Sequence, residues 1–512
     1  MSGSPETRAR GRGRAFPASQ VAAALVVAAV VVCTIILWKP GQDASWDSAT
    51  YLDGARRLAA GEGYVTSRNA LDEPTGLTPI SLWPPGFSMA VALGILAGGD
   101  PLGAAAWVLT LSYVGAVAAC FACAYYATRA AVPSALSAVF FGLMPATLDS
   151  LDAVLSDLPF TCAIGASSVL ALRVAERERP SWPLQLASGI AIGSCFWFRY
   201  VGIGVAFAAC VALLIARHER SPWARVRALS TTLSATAAVC AALFVRNVRI
   251  GHLSGGHAFH PSSIATNTAF ALEGAVNALA PTWGLAHVGA RFAMLAAVTA
   301  TLAASIRLRS FRAPSVCVLG CMFVAYAGSL LLSASLTAFN SLDETRFWVP
   351  FWLLYAMFAA SVLAKAEGPY RWCIALPTFA GMATCIVFYV VMLKIHLPSA
   401  QRPHELSERS WRRAASLVPD ARECLVLSND VRPLLVHRAI AANARLPDDH
   451  RSMNELRHAH PKLCIAFVKG WTPASSRVHK RAQEALLNAM SKGRQLRLIA
   501  RDELVDVYRV AP

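Results

Sequence analysis

Residues 157–179 read DLPFTCAIGASSVLALRVAERER, so one segment joins an acidic start, an apolar run and a basic end. The apolar part, Leu158 to Val174, approaches the ~20 residues that a helix needs to cross the hydrocarbon core of a bilayer. Lys and Arg residues beside membrane spans stay on the cytoplasmic side. The segment therefore predicts a membrane helix with Asp157 at its outer end and Arg179 at its cytoplasmic end.

The rest of the chain sorts its charges in the same way. Arg and Lys gather at residues 8–14, 173–179, 217–227, 307–312 and 365–371, whereas acids gather at 43–53, 149–157 and 343–344. Of the 512 residues 55% are hydrophobic and only 15% are charged, against ~25% charged in a soluble domain. We predict a polytopic α-helical membrane protein with about eleven transmembrane helices and a cytoplasmic N-terminus. This arrangement places the basic loops on the cytoplasmic side and the acidic loops on the outer side.

Composition divides the chain into three parts. They are a basic cytoplasmic N-terminus at 1–17, a transmembrane domain at 18–397 with outer loops 39–101 and 246–288, and a small extracytoplasmic α/β domain at 398–512. The first apolar run, Val21 to Trp38, is longer than the apolar core of a signal peptide, so we expect an uncleaved span.

The segment from Trp83 to Ala97 is apolar but short. If it were a full span, every later loop would change sides and three basic loops would face outward, against the charge rule. We therefore predict that it forms a helix lying in the membrane interface.

The formal net charge of +17 does not indicate nucleic-acid binding, since much of the excess lies in short loops between spans. Most of the 13 cysteines lie in apolar stretches, where they act as small hydrophobic residues. Cys424 and Cys464 lie in the polar tail. They either form a disulfide, which an extracytoplasmic tail allows, or remain buried strand thiols.

The first outer loop holds a candidate general base. Residues 45–64 read SWDSATYLDGARRLAAGEGY, which places Asp47, Tyr51 and Leu58 on one face of a helix. A carboxylate held at the membrane surface and partly desolvated is suited to general-base catalysis. The alternative for Asp47 is a helix N-cap.

The second outer loop carries Asp149, Asp152 and Asp157 within nine residues. Oxygen ligands suit Mg²⁺ or Mn²⁺, so one interpretation is a divalent cation held at Asp152 and Asp157. The other interpretation is that Asp157 caps the next span and the remaining acids are solvated.

Two arginines lie at the ends of apolar spans, where burying a charge costs desolvation free energy. Arg199 follows Cys-Phe-Trp-Phe in a short hairpin between spans, so we expect it to pair with an anion, either a protein acid or a ligand phosphate. Arg346 opens a span directly after Asp343 and Glu344. It either joins the same anion site or forms a local salt bridge at the interface.

The order and shared sidedness of these motifs resemble the GT-C superfamily of polytopic glycosyltransferases. The resemblance is closest to the bacterial branch that includes aminoarabinose transferases and relatives of protein O-mannosyltransferases. The stretches that carry it are Asp47-x-x-x-Tyr51, Leu58-x-x-Gly61-x-Gly63-Tyr64, Trp83–Phe87, Ser156–Asp157, Phe198–Arg199, Arg346–Pro350 and Leu427–Asp430.

The resemblance implies a donor and a reaction. The donor is a polyprenyl-phosphate-linked sugar, and the acceptor is an extracytoplasmic glycan, lipid or protein of the envelope. Asp47 is then the general base of an inverting transfer, and Arg199 and Arg346 bind the donor phosphate.

By the same resemblance, Tyr51, Trp83 and Tyr64 shape the sugar or acceptor pocket. A divalent cation (Mg or Mn) at Asp152 or Asp157 would help to balance the leaving phosphate.

The resemblance also implies a multi-pass protein of the bacterial inner membrane with a periplasmic C-terminal domain. The alternative from another functional class is a multi-pass transporter or lipid flippase of the cell envelope. Such proteins place charges near the bilayer midplane and often show repeated halves. This sequence has few ionisable residues within its predicted spans and no visible repeat, which favours the enzyme.

Overall fold

The computed structural model describes most of the membrane domain and the framework of the tail. The described residues are 18–38, 40–41, 46–66, 77–216, 221–251, 261–279, 285–308, 310–337, 342–366, 371–372, 374–375, 425–428, 442–445, 453, 463–468, 477–492, 495–501 and 505–510. The predicted N-terminal segment 1–17, residues 376–397 at the end of the predicted transmembrane domain, and Cys424 lie outside them.

The described part of the membrane domain contains fifteen α-helices. They are α1 (Ala18–Trp38), α2 (Trp46–Ala59), α3 (Gly86–Leu96), α4 (Pro101–Thr128), α5 (Ala131–Gly142), α6 (Pro145–Asp152), α7 (Asp157–Glu176), α8 (Trp182–Phe198), α9 (Gly202–Ala216), α10 (Pro222–Ala228), α11 (Ser230–Arg249), α12 (Ile264–Asn277), α13 (Leu285–Arg307), α14 (Pro314–Leu336) and α15 (Val349–Leu363). Two short strands, β1 (Val65–Thr66) and β2 (Thr78–Pro79), pair antiparallel between α2 and α3. A 3₁₀ turn at Thr345–Trp348 leads into α15.

The polytopic helical fold is confirmed. Among the described residues, six helices are long and apolar enough to cross a membrane, or up to seven if α5 and α6 form one broken span. The span predicted from Leu158 to Val174 lies within α7, and that from Val21 to Trp38 lies within α1. The segment predicted to lie in the interface contains α3, which has only 11 residues and is too short to cross.

The second outer segment differs from the predicted loop. The chain bends by 54° between α5 and α6, and α6 places Asp149 and Asp152 in a helix. Pro145 opens α6, a position where the N–H that proline lacks has no partner within the helix. The alternative that Asp157 is the N-cap of the next span is wrong, because Ser156 holds the N-cap position and Asp157 lies in the first turn of α7.

The helix α15 forms the centre of the bundle. Every residue from Val349 to Val362 is buried, and α15 packs against α4, α5, α7 and α14. A helix that is apolar on all sides is stable only when other helices or lipid surround it. Because the 3₁₀ turn at Thr345–Trp348 precedes α15 directly, this turn lies at the centre of one end of the bundle.

The tail forms a small α/β domain, as predicted. Its elements are β3 (Leu425–Ser428), β4 (Ala442–Arg445), β5 (Leu463–Val468), α16 (Arg477–Lys492), β6 (Leu496–Arg501) and β7 (Val505–Val510). The strand order is β4-β3-β5-β7-β6, with the first three strands parallel and β7 antiparallel to both neighbours. Ile465 and Phe467 share a buried cluster with Leu486 and Met490 of α16. Strand β4 forms one edge of the sheet, next to β3.

Cys464 of β5 is disulfide-bonded. Cys424, the partner in one of the two alternatives drawn from the sequence, lies outside the described residues, so a bond between these two cysteines stays a prediction.

Candidate active site

Four stretches that are distant in sequence meet at one end of the bundle. They are the start of α2, the first turn of α7, the turn between α8 and α9, and the 3₁₀ turn before α15. Each contributes one of the ionisable residues singled out in the sequence: Asp47, Asp157, Arg199 and Arg346. These four residues form two ion pairs.

Arg346 contacts two carboxylates. Its Nη1 lies 3.5 Å from Oδ2 of Asp47, and its Nε donates to Oε2 of Glu344 at 2.5 Å. The planar guanidinium suits this arrangement, because its N–H groups point in fixed directions toward separate acceptors. The local salt bridge that the sequence suggested is therefore present, and a second contact joins Arg346 to α2.

Arg199 donates from Nη1 to Oδ1 of Asp157. The Asp157 side chain is only 3% exposed, so this pair is largely withdrawn from water. A buried ion pair costs desolvation that only close geometry offsets, and removing one partner leaves an uncompensated charge. The anion that the sequence required for Arg199 is thus a protein acid in this structure.

The ring of Phe347 links the two ion pairs. The guanidinium carbon of Arg199 lies 4.5 Å from the ring centroid, and that of Arg346 lies 4.9 Å from it. Both distances allow a cation–π contact. The hydroxyl of Tyr326 on α14 donates to the Phe347 carbonyl, and this hydrogen bond holds the 3₁₀ turn at Thr345–Trp348 against α14. Two guanidinium groups therefore converge on one buried ring, and the three carboxylates of Asp157, Asp47 and Glu344 balance their charge.

Tyr51 lies one helical turn after Asp47 and is buried. Its hydroxyl is 2.9 Å from the Ser156 hydroxyl, and its ring meets Phe87 edge-on at 5.2 Å and Trp83 at 6.0 Å. Burial raises the pKa of Tyr51, so it stays a neutral hydroxyl. Trp83 is only half-buried and retains surface for a ligand. Of these two predicted pocket residues, Trp83 is the better placed for ligand contact.

The Trp-Pro-Pro-Gly-Phe motif positions Arg199 through a close backbone approach. A Cβ on Gly86 would lie 2.6 Å from the carbonyl oxygen of Trp197 at the end of α8. Only glycine allows α3 and α8 to meet this closely. The contact fixes the end of α8, and Arg199 follows it directly.

Tyr64 belongs to a supporting layer. The guanidinium of Arg246 lies 5.0 Å from its ring centroid, and the same Arg donates to the Ile80 carbonyl at 2.5 Å. The Tyr64 hydroxyl donates to the Pro84 carbonyl at 3.4 Å. Within the described part of the chain, no contact joins Tyr64 to Asp47, so its predicted pocket role stays a prediction.

The described acids do not form a metal site. No group of three or more His, Cys, Asp or Glu side chains in the described ranges is arranged to hold a cation. Asp157 already binds Arg199, and Asp152 ends α6 with its side chain half-buried. These two residues do not fit a divalent cation in this arrangement.

Two contributors to the site were not predicted from the sequence: Tyr326, and Phe347 as the ring between the two arginines. Glu344 was predicted, but only as a local partner of Arg346. A buried tyrosine hydroxyl needs a partner, which is a weak signal for Tyr326. Nothing local reveals Phe347, because the Arg199 that contacts it comes from a distant helix end.

No protein-family model matches this chain, and no curated protein matches it in sequence. Solved structures match its fold. ArnT from Cupriavidus metallidurans in the apo state is 13% identical, with a TM-score of 0.60 over 95% of this chain and 98% of that chain. The same ArnT bound to undecaprenyl phosphate gives 12% identity and a TM-score of 0.60, over 96% of this chain and 97% of that chain.

Arabinofuranosyltransferase AftD from Mycobacteria is 13% identical, with a TM-score of 0.56. The match covers 97% of this chain but 42% of that longer chain. ArnT and AftD are both GT-C glycosyltransferases. The chain therefore has the fold of the GT-C polytopic membrane glycosyltransferases.

Proposed function

We propose that this protein transfers a sugar from a polyprenyl-phosphate-linked donor to an acceptor on the extracytoplasmic side of the membrane. The observation that carries the proposal is the convergence of Asp47, Arg346, Arg199 and Asp157 around Phe347 at one end of a GT-C fold. Guanidinium groups bind phosphate oxygens strongly and with defined geometry. ArnT, which shares the fold, binds undecaprenyl phosphate, and this supports a lipid phosphate as the leaving group.

The reaction uses one base and two cations. Asp47 accepts the proton of the acceptor hydroxyl while the acceptor oxygen forms its bond to the anomeric carbon. The bond from that carbon to the phosphate oxygen breaks, and polyprenyl phosphate leaves with the electron pair. The transition state has oxocarbenium character, as in glycoside hydrolysis. Arg199 and Arg346 stabilise the charge that develops on the leaving phosphate. Attack from the face opposite the leaving group inverts the anomeric centre.

Arg346 links the base to the leaving group. It lies 3.5 Å from Asp47, so a phosphate that binds this guanidinium competes with the carboxylate. Binding of the donor phosphate therefore releases the Asp47 carboxylate from Arg346, so that it can accept a hydrogen bond from the acceptor hydroxyl.

The bacterial inner membrane is the proposed location, with Asp47 and the C-terminal domain on the periplasmic side. Basic residues at the far ends of α4 and α15, such as Arg129 and Lys365, are expected to face the cytoplasm. The disulfide at Cys464 supports an oxidising compartment for the tail.

The test uses the purified full-length protein, a polyprenyl-phosphate donor with a labelled pentose or hexose, and an envelope extract as acceptor source. Mass spectrometry measures free polyprenyl phosphate and new glycosidic products. Asp47→Asn should lower the transfer rate by ~10²–10⁴ if Asp47 is the base. Asp100→Asn is the matched control, because Asp100 caps α4 near α3 and Asn caps a helix equally well.

Two outcomes would refute the proposal. One is movement of the lipid-linked sugar across a vesicle membrane with no covalent change, which a transporter or flippase would give. The other is a normal transfer rate in Asp47→Asn at normal protein level, which would exclude Asp47 as the base.

A further inference from the structure

An apolar groove lies between α5 and α15, toward the end of the bundle opposite Arg346. Its volume is about 620 Å³. On the α15 wall, Leu363 is joined by three small side chains, Ala356, Ala359 and Ala360, which leave room that the large side chains elsewhere on this helix would fill. The facing wall includes Val132, Leu136 and Phe140 of α5.

The groove has a basic and aromatic rim. Arg371 and Trp372 belong to its lining, and Trp372 is 63% exposed. Arg129, which ends α4 just before the groove residues of α5, pairs with Glu176 at 3.6 Å. Lys365 acts on the same Glu176 electrostatically, so it lies at this end too. Among the described residues of this rim, the cations Arg129, Lys365 and Arg371 outnumber the acid Glu176, which complements an anionic headgroup.

The depth of the groove matches one leaflet of a bilayer. From Ala356 to Leu363, α15 rises about 10 Å, and Ala356 lies about 15 Å along the axis from Arg346. Half of a hydrocarbon core that is ~30 Å thick is ~15 Å. The groove therefore occupies the leaflet away from the candidate active site.

The inner end of the groove is closed. Phe140 packs edge-on against Trp352 at 6.3 Å, and the indole N–H of Trp352 donates to the Ala275 carbonyl at 3.0 Å. Trp352 is fully buried. A chain that enters from the basic rim therefore ends at this pair and does not continue toward Arg346, so the shape does not suit the tail of a lipid bound at that site.

We propose that this groove binds an anionic phospholipid of the cytoplasmic leaflet. One acyl chain lies between α5 and α15, and the phosphate headgroup lies at Arg371 and Lys365. Basic residues and an exposed tryptophan at this depth are the groups that membranes place at the headgroup level. Both helices of the groove lead to the candidate site, α5 through α6 and α15 through the 3₁₀ turn. The lipid therefore fills the space between two helices that position the catalytic end.

Native mass spectrometry of the full-length protein tests the proposal. The protein is incubated with phosphatidylglycerol or phosphatidylethanolamine at equal concentration, and the retained lipid is counted. Phosphatidylglycerol should be retained in preference. Arg371→Gln should weaken its binding by about fivefold, the factor that one basic residue contributes near an anionic membrane surface. Arg179→Gln, which removes an exposed charge from the α7–α8 connection, should leave binding unchanged.

Filling the groove tests its shape. Ala360→Trp should abolish retention of phosphatidylglycerol, whereas Ala238→Trp, on the exposed face of α11, should not. If Ala360→Trp does not fold, Val132→Trp serves instead, because Val132 lines the groove at an exposed edge. Equal retention of both lipids, or unchanged retention in the filled variants, would overturn the proposal. Displacement of phosphatidylglycerol by polyprenyl phosphate would also overturn it and assign the groove to the donor tail.

Discussion

Replacing Arg346 by Lys keeps the positive charge but removes the planar fork that contacts two carboxylates at once. Arg346 uses Nε for Glu344 at 2.5 Å and Nη1 for Asp47 at 3.5 Å, and it lies over the Phe347 ring at 4.9 Å. The ammonium of Lys is a compact point charge with neither the fork nor the stacking plane. We therefore expect Arg346→Lys to reduce catalysis far more than stability.

The magnitudes separate the two effects. The side chains of Arg346 and Asp47 are 25% and 30% exposed, and ion pairs of such exposure contribute only ~0–1 kcal/mol to stability. A preorganised donor aimed at charge that develops in the transition state contributes ~2.7–4 kcal/mol, which corresponds to ~10²–10³ in kcat. Arg346→Lys should thus lower kcat by about that factor while the unfolding temperature changes little.

Single-turnover release of polyprenyl phosphate at saturating donor measures the chemical step, and thermal unfolding of the same preparation measures stability. Arg129→Lys is the matched control. Arg129 pairs with Glu176 at 3.6 Å and lies over the Tyr126 ring at 4.8 Å, so it makes the same kinds of contact at the other end of the bundle. A near-normal rate in Arg346→Lys would refute the reasoning, and so would an equal loss in Arg129→Lys.

Three further substitutions test the framework of the site. Asp157→Asn leaves the Arg199 charge without its carboxylate, so thermal unfolding should show a loss of ~3–5 kcal/mol, partly restored in the Asp157→Asn/Arg199→Gln double variant; no recovery would contradict the buried-pair account. Tyr51→Phe keeps the ring contacts and loses one hydrogen bond, which should lower the unfolding free energy by ~0.5–1.5 kcal/mol and leave kcat nearly unchanged; a large kcat loss would instead make the hydroxyl catalytic. Gly86→Ala brings a Cβ within 2.6 Å of a backbone carbonyl and should reduce the yield of folded protein and the transfer rate, whereas Gly328→Ala, which has open space around its Cβ, should behave as wild type.

The fold could be predicted because span length and charge sidedness are local properties. The run from Leu158 to Val174 needs no knowledge of its neighbours to be recognised as a span. The bend between α5 and α6 was missed for the same reason. Pro145 lies inside a run that remains apolar up to residue 148, and composition does not distinguish a continuous helix from two helices at 54°.

The site could be predicted only in part, because side-chain contacts between distant segments leave no local pattern. Arg199 and Arg346 stood out because each is an ionisable residue at the edge of an apolar stretch, and Asp47 because it shares a predicted helix face with Tyr51 and Leu58. The sequence did not show which acid each arginine contacts. For Arg199 it allowed either a protein acid or a ligand phosphate. Tyr64 was grouped with Tyr51 because the motif is continuous in sequence, yet the strand β1 after it carries Tyr64 to Arg246.

The location of the site follows from the burial of α15. A helix that is apolar on every side must lie inside the bundle, so the polar turn before it meets the ends of the helices that surround it. The charge of Arg346 in that turn costs desolvation free energy unless other charged groups contact it. Asp47 at the start of α2 contacts it directly, and the Asp157–Arg199 pair is joined to it through the Phe347 ring. An arginine directly before a wholly apolar span therefore indicates a place where distant polar segments meet. The span lies at the centre of the helix bundle, and the charge of the arginine requires acidic partners from other segments. The side chains of α15 also account for the proposed lipid groove. At Ala356, Ala359 and Ala360 these side chains are small, so they leave space between α15 and α5.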